Sequence, residues 1–170
     1  MTASDFWDFS TSVYRRKDVA DTCLALQDRY GLDVNLLLYC CWRGKILTGE
    51  EMAAAIALAT PWRDEVVRPL RRLRRALKPG FPPMPEEDVQ ALRERIAAAE
   101  LDAEKLQQQA LDAASGRKSA PKPDAAEANL KTYLALERMS ADARLEALLA
   151  VLRAGAFPET ETAPLAISAS

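Results

Sequence analysis

Two groups of side chains in this sequence have types and spacing that could do chemistry. The first is Gln27, Asp28, Asp33 and Asn35, two amides and two carboxylates around Gly31. Polar groups held at a turn can bind a small ligand or a partner's backbone. They also have a structural use. Asp33 and Asn35 can cap a helix that starts there, while Gln27 or Asp28 satisfies the N–H and C=O groups that a buried turn must pair. Asp28 and Asp33 are not spaced as D-x-x-x-D on one helical face, so helical diphosphate chemistry is not expected. The second group is Arg68, Arg71, Arg72, Arg75 and Lys78. Arginine's planar fork suits carboxylates and phosphates. The candidate partners for this face are an acidic protein surface, RNA or DNA, or another polyanion such as an anionic lipid surface; otherwise it is a solvated face.

Other chemistries are closed to the chain. It contains no histidine, which removes histidine-activated serine or cysteine nucleophiles, histidine metal ligation and phosphohistidine. Cys23, Cys40 and Cys41 form no C-x-x-C pair and read as buried, reduced thiols in a reducing compartment. The six glycines are scattered singly, so no phosphate-cradling loop exists. No catalytic residue, metal or cofactor is expected. The net charge of −2 argues against a globally basic nucleic-acid binder. The N-terminus lacks a basic, apolar secretory pattern, and the longest apolar runs fall far short of the ~20 residues of a membrane span. The expectation is a cytoplasmic protein.

The elements that position these groups read as helices. The stretch LQDRYGLDVNLLLYCCW, 26–42, ends one helix at Gly31, whose lack of a side chain suits the left-handed cap. It starts another at Asp33. Leu36 to Trp42 has no polar face, so that helix is buried all round. A first helix begins near Ser4, and a second runs from Asp18 to Gly31. Thr48 and Glu51 form a capping box before a short, alanine-rich helix over 52–59. Thr60-Pro61 is expected to restart the chain into a helix over 61–78, kinked at Pro69. This helix carries seven positive side chains against two acidic ones. A rigid Pro-rich connector leads to the longest helix, 85–114. There Val89, Leu92, Ile96, Ala99, Ala103, Leu106 and Ala110 form a heptad seam that is a candidate for self-association. A flexible basic linker is expected over 115–123 and a C-terminal helical pair over 124–155, capped by Asp124 with Glu127 and by Ser140. A disordered tail follows over 156–170. Eight of the eleven aromatics fall within the first 62 residues, which suggests a core.

Phe6-Trp7-x-Phe9-Ser10 with Val13-Tyr14, Cys23-Leu24-x-Leu26-Gln27-Asp28, and Gly31-x-Asp33-Val34-Asn35-x-Leu37-Leu38 with Trp42 resemble an uncharacterised family of short bacterial all-helical proteins. The likeness covers about the first 110 residues. It implies a bacterial cytoplasmic origin and an all-helical fold, and it carries over no activity or site residue. The sequence reading is therefore an all-α bundle of about seven helices with one long heptad-patterned helix. Its first functional candidate is a non-enzymatic protein-interaction or adaptor module. The alternatives are polyanion binding through the arginine face of 61–78, and a small-ligand protein or enzyme using the polar turn 27–35.

Overall fold

A computed structural model describes residues 5–117 and 119–158. The protein is all-α. The described residues form α1 (Phe6–Tyr14), α2 (Val19–Tyr30), α3 (Val34–Trp42), α4 (Gly49–Trp62), a π-helical segment (Arg63–Val67), α5 (Arg68–Ala76), α6 (Glu86–Ala114), α7 (Pro123–Leu136) and α8 (Ala143–Ala156). Because α4, the π segment and α5 follow one another without a break, these elements make seven rods.

Helix α3 is the centre. Every residue from Asn35 to Trp42 is buried. The caps that isolate it are those the sequence implies. Gly31 takes φ 67° at the end of α2, and the Asp33 carboxylate accepts from the N–H groups of Asn35 and Leu36. Phe6 stacks on Trp42 with ring centroids 5.0 Å apart and meets Tyr39 edge-on at 5.7 Å. α7 packs along α3, and α8 along α2, so Leu130, Tyr133, Leu145 and Leu152 share one core with Leu26 and Leu36. Asn129, fully buried, ties α7 to the α3–α4 loop by accepting from Leu47 N–H and donating to the Cys40 and Lys45 carbonyls.

Thr48 and Glu51 form the expected capping box. The helix it opens does not stop at Ala59. It runs through Thr60 and Pro61 to Trp62, and the chain does not restart there. The disruption falls in the next turn, where Arg68 N–H bonds the Arg63 carbonyl five residues back. Pro61 and Pro69 each lack a backbone donor, and a wider π turn between them absorbs the resulting mismatch without breaking the rod. Elsewhere, α7 opens with Pro123 at its first position and no side-chain cap, and Asp142 rather than Ser140 caps α8, accepting from Leu145 N–H at 2.7 Å. α8 reaches Ala156, and the rest of the expected tail, 159–170, lies outside the described residues.

The long helix α6 folds back antiparallel on α5. Its 29 residues span about 44 Å at ~1.5 Å per residue. The heptad seam needs correction here. Val89, Ile96 and Ala103 are buried, but Leu92, Ala99, Leu106 and Ala110 are exposed. From Ile96 onward the inward face passes instead through Glu100, Ala103, Gln107 and Leu111. Three of the seven seam positions are thus used within the chain, and Glu100, Gln107, Gln108 and Leu111 complete the buried stripe.

Candidate functional site

The polar turn, the arginine face and the inward side of α6 enclose one cavity of about 430 Å³. α1 closes it with Trp7, Ser10, Thr11 and Tyr14, and the apolar walls come from Leu24, Leu32, Leu38, Val67 and Leu101. Two sequence candidates that lie some forty residues apart therefore meet at one place.

A chain of side-chain amides forms the floor. Asp33 anchors it, buried, with one carboxylate oxygen occupied by the helix cap. Gln107 Nε2 donates to the other oxygen at 2.8 Å, Asn35 Nδ2 donates to Gln107 Oε1 at 2.9 Å, and Gln108 Nε2 donates to Asn35 Oδ1 at 2.7 Å. Asp33 N–H also donates to the Tyr133 hydroxyl at 3.1 Å, which joins the turn to α7. Burial pushes the Asp33 carboxyl above its ordinary range, opposed by the Gln107 bond, the Arg63 charge and the cap N–H groups. The chain has a direction. A carboxylate can only accept, so each amide must turn its NH₂ toward Asp33, and the far end is left as a bare carbonyl. That end is Gln108 Oε1, which is buried and has no partner among the described residues. Ser10 Oγ, in the same lining, is likewise buried and unpartnered.

Ion pairs form the wall. Glu100 receives Arg71 at 2.8 Å together with Arg74, and Glu104 receives Arg71 from the other side. Asp64 holds Arg63 at 2.9 Å and Arg68 at 2.7 Å, and Arg68 also donates to the Gly31 carbonyl. Burial raises the Glu100 carboxyl, but the Arg74 and Arg71 guanidiniums outweigh it and hold its pKa below the ordinary value. Glu104 goes the other way: burial dominates, Arg71 opposes it only in part, and the pKa is raised. Tyr14 is pushed up to about 12 by burial, with Cys23 and Glu104 adding to it.

The arginine face is therefore largely spoken for. Arg71 lines the cavity inside an ion-pair network, Arg68 braces the turn, and Arg75 pairs with both Asp28 oxygens at 2.9 Å. Arg68, Arg71, Arg72 and Arg75 also border a shallower cleft of about 440 Å³ with Gln27, Asp28 and Asp64. Arg72 and Lys78 are exposed and carry no ion pair among the described residues, and Lys78 borders neither cavity. Of the polar-turn residues, Asp33 and Asn35 sit in the amide chain. Gln27 lines both cavities, and Asp28 faces the outer cleft.

The sequence reading missed Ser10, Glu100, Glu104, Gln107 and Gln108. The last four lie at 100, 104, 107 and 108, a helical face as regular as the heptad seam beside it but polar. Among the described residues, no three His, Cys, Asp or Glu side chains gather to hold a metal ion. The three free cysteines are buried. Burial pushes Cys23 and Cys41 up to about 12 and Cys40 well above its ordinary value, so all three are neutral thiols near pH 7.

Residues 5–111 match the sequence model of one family, described as a protein of unknown function (DUF2390). The chain belongs to that family. The matched span contains every residue of the cavity, from Trp7 to Gln108, while α7 and α8 lie beyond it. No curated protein and no solved structure matches the chain. No helix among the described residues is long and apolar enough to cross a membrane.

Proposed function

We propose that this member of the family is a binding protein for a small organic ligand, held between α1, the α2–α3 turn and the inward face of α6. The observation that carries this reading is the pairing of a cavity of about 430 Å³ with two buried polar atoms, Ser10 Oγ and Gln108 Oε1, that have no partner among the described residues. A pocket with mainly apolar walls and a few convergent polar groups is the common form of a small-molecule site. Leaving a buried acceptor unmade costs roughly 1–3 kcal/mol, a cost that a fitting ligand removes. Three free thiols support a reducing, cytoplasmic setting. The test is a fragment library titrated into the isotope-labelled full chain. Hits that move the side-chain amide signals of Asn35, Gln107 and Gln108 support the reading, and a library whose hits leave all three in place refutes it.

A protein-interaction role rests on a different observation. Leu73, Phe81, Met84 and Leu92, on the α5–α6 hairpin, are 43–57% exposed, an apolar patch none of whose residues lines the cavity. An adaptor working through this patch loses its partner on Phe81→Ser with Met84→Ser. The polyanion alternative has less to stand on, because three of its five cations, Arg68, Arg71 and Arg75, are held by carboxylates of this chain, and Arg72 and Lys78 carry no ion pair among the described residues. It requires affinity that falls steeply with salt.

A further inference from the structure

The direction of the amide chain specifies the polar end of the ligand. We infer that the pocket selects an uncharged group bearing an N–H or O–H donor, of the carboxamide type, and rejects carboxylates and phosphates. The inference rests on the small-ligand reading above and goes beyond it to the ligand's chemistry.

Asp33 is the origin of the selection although it is remote from the free end. Its second oxygen accepts from Gln107, so Gln107 must offer Oε1 to Asn35, Asn35 must offer Oδ1 to Gln108, and Gln108 is left with Oε1 unmatched. Only a donor satisfies a carbonyl. Ser10 Oγ can both donate and accept, so a carboxamide fits the pair: its N–H meets Gln108 Oε1 and its C=O receives the Ser10 hydroxyl. A carboxylate or phosphate ester brings lone pairs to a carbonyl that already has its own. The charged wall gives an anion no compensation, because the pocket's guanidiniums, Arg63, Arg68, Arg71 and Arg74, are each paired with a carboxylate of this chain. A net charge brought into such a wall has to break one of those pairs. Both free atoms expose less than 1 Å², so binding also moves a side chain that covers them, and the bound pocket differs locally from the empty one.

The relay makes a second statement that a merely structural role for Asp33 does not. In Asp33→Asn, the new side chain keeps a carbonyl oxygen for the helix cap and presents NH₂ to Gln107. Gln107, Asn35 and Gln108 then turn over in sequence, Asn35 giving up its long 3.4 Å donation to the Glu104 carbonyl, and the free end becomes an N–H donor. Asp33 is thus a positioning residue, and its substitution inverts the preference of a side chain two links beyond its own hydrogen-bond partner.

Three probes on one naphthalene ring test this on the full-length chain: 2-naphthamide, N,N-dimethyl-2-naphthamide and 2-naphthoate, titrated while the amide signals of residues 35, 107 and 108 are followed. The expected result is that the primary amide binds at least about tenfold more tightly than either relative, the size of one hydrogen bond's discrimination. Gln108→Leu should abolish that difference, and Asp33→Asn, by turning the free end into a donor, should narrow it by strengthening the two relatives that offer only acceptor oxygens. Equal binding of the three at these residues, or tighter binding of the naphthoate, overturns the donor rule and leaves the pocket reading standing. A preference unchanged in Asp33→Asn, with the cap of α3 intact by its amide shifts, overturns the relay. Absence of any shift at the three residues with all probes overturns this inference and the pocket reading together.

Discussion

Glu100 is the most buried acid of the ion-pair wall around the cavity. Its carboxylate is 7% exposed and takes two guanidiniums, so Glu100→Gln leaves Arg71 and Arg74 short of charge at a half-dry site. The expected loss is roughly 2–3 kcal/mol at pH 7 by denaturant unfolding, less than for a fully buried pair because Arg74 keeps a quarter of its side chain in water. The pH dependence has a definite sign. The folded pKa of Glu100 is depressed, so its contribution is present above the ordinary value of 4.5 and is lost as pH falls through the folded value. The stability gap between wild type and Glu100→Gln should therefore close in acid. Ser10 gives the opposite outcome. Ser10→Ala removes a buried hydroxyl with no partner and adds helix propensity, so the free protein should gain about 1 kcal/mol, read as a rise in Tm, while affinity for a donor ligand falls. The residues that cap helices were legible in the sequence, because a cap is a local event written in a few neighbouring letters: Asp33 before Val34, Thr48 before Glu51. Glu100 and Gln107 were not. A polar residue on a long amphipathic helix reads as solvent-facing until the chain that packs on it is known, and here that chain is α5 over Glu100 and the turn at 31–35 over Gln107.

At the level of elements, the legible features were those with their own punctuation, Gly31 above all. The continuity of α4 through Thr60-Pro61 was not among them, because threonine before proline is equally good grammar for a new helix and the helices that α4 packs against, α6 and α7, come later in the chain. Trp62 shows the hold: its indole N–H donates to the Ala103 carbonyl at 2.9 Å. The π segment contains, in effect, one residue more than an α-helix of the same reach. Deleting exposed Glu65 from it should let the rod close as an ordinary α-helix with the helices on either side keeping their facing, so the Arg71–Glu100 pair survives and Tm changes little. Deleting exposed Ala57 instead turns Ala59 out of the core and Trp62 off the Ala103 carbonyl by about 100°, and should cost cooperative unfolding. Calorimetry of the two deletions separates these outcomes.

For the whole molecule, the all-α class followed from composition, since alanine and leucine dominate and strand-forming runs are missing. The cavity did not follow, because it is made by an antiparallel return of α6 over a turn about seventy residues earlier, a distance at which sequence periodicity is silent. The same is true of the C-terminal helices. Nothing in 124–155 announces that α7 lies along α3, yet the two share the central core. A chain ended after Ala114 loses the covers of α3 and α2 and should be helical by circular dichroism but bind hydrophobic dye and melt without a cooperative transition. That packing separates two things easily taken for one. The span by which relatives of this protein are recognised stops at residue 111, whereas the span that folds extends through α8 to Ala156. Kinship and self-sufficiency are bounded differently here: a relative that shares only the first span has to clothe its α3 with some other helix, its own or a neighbour's.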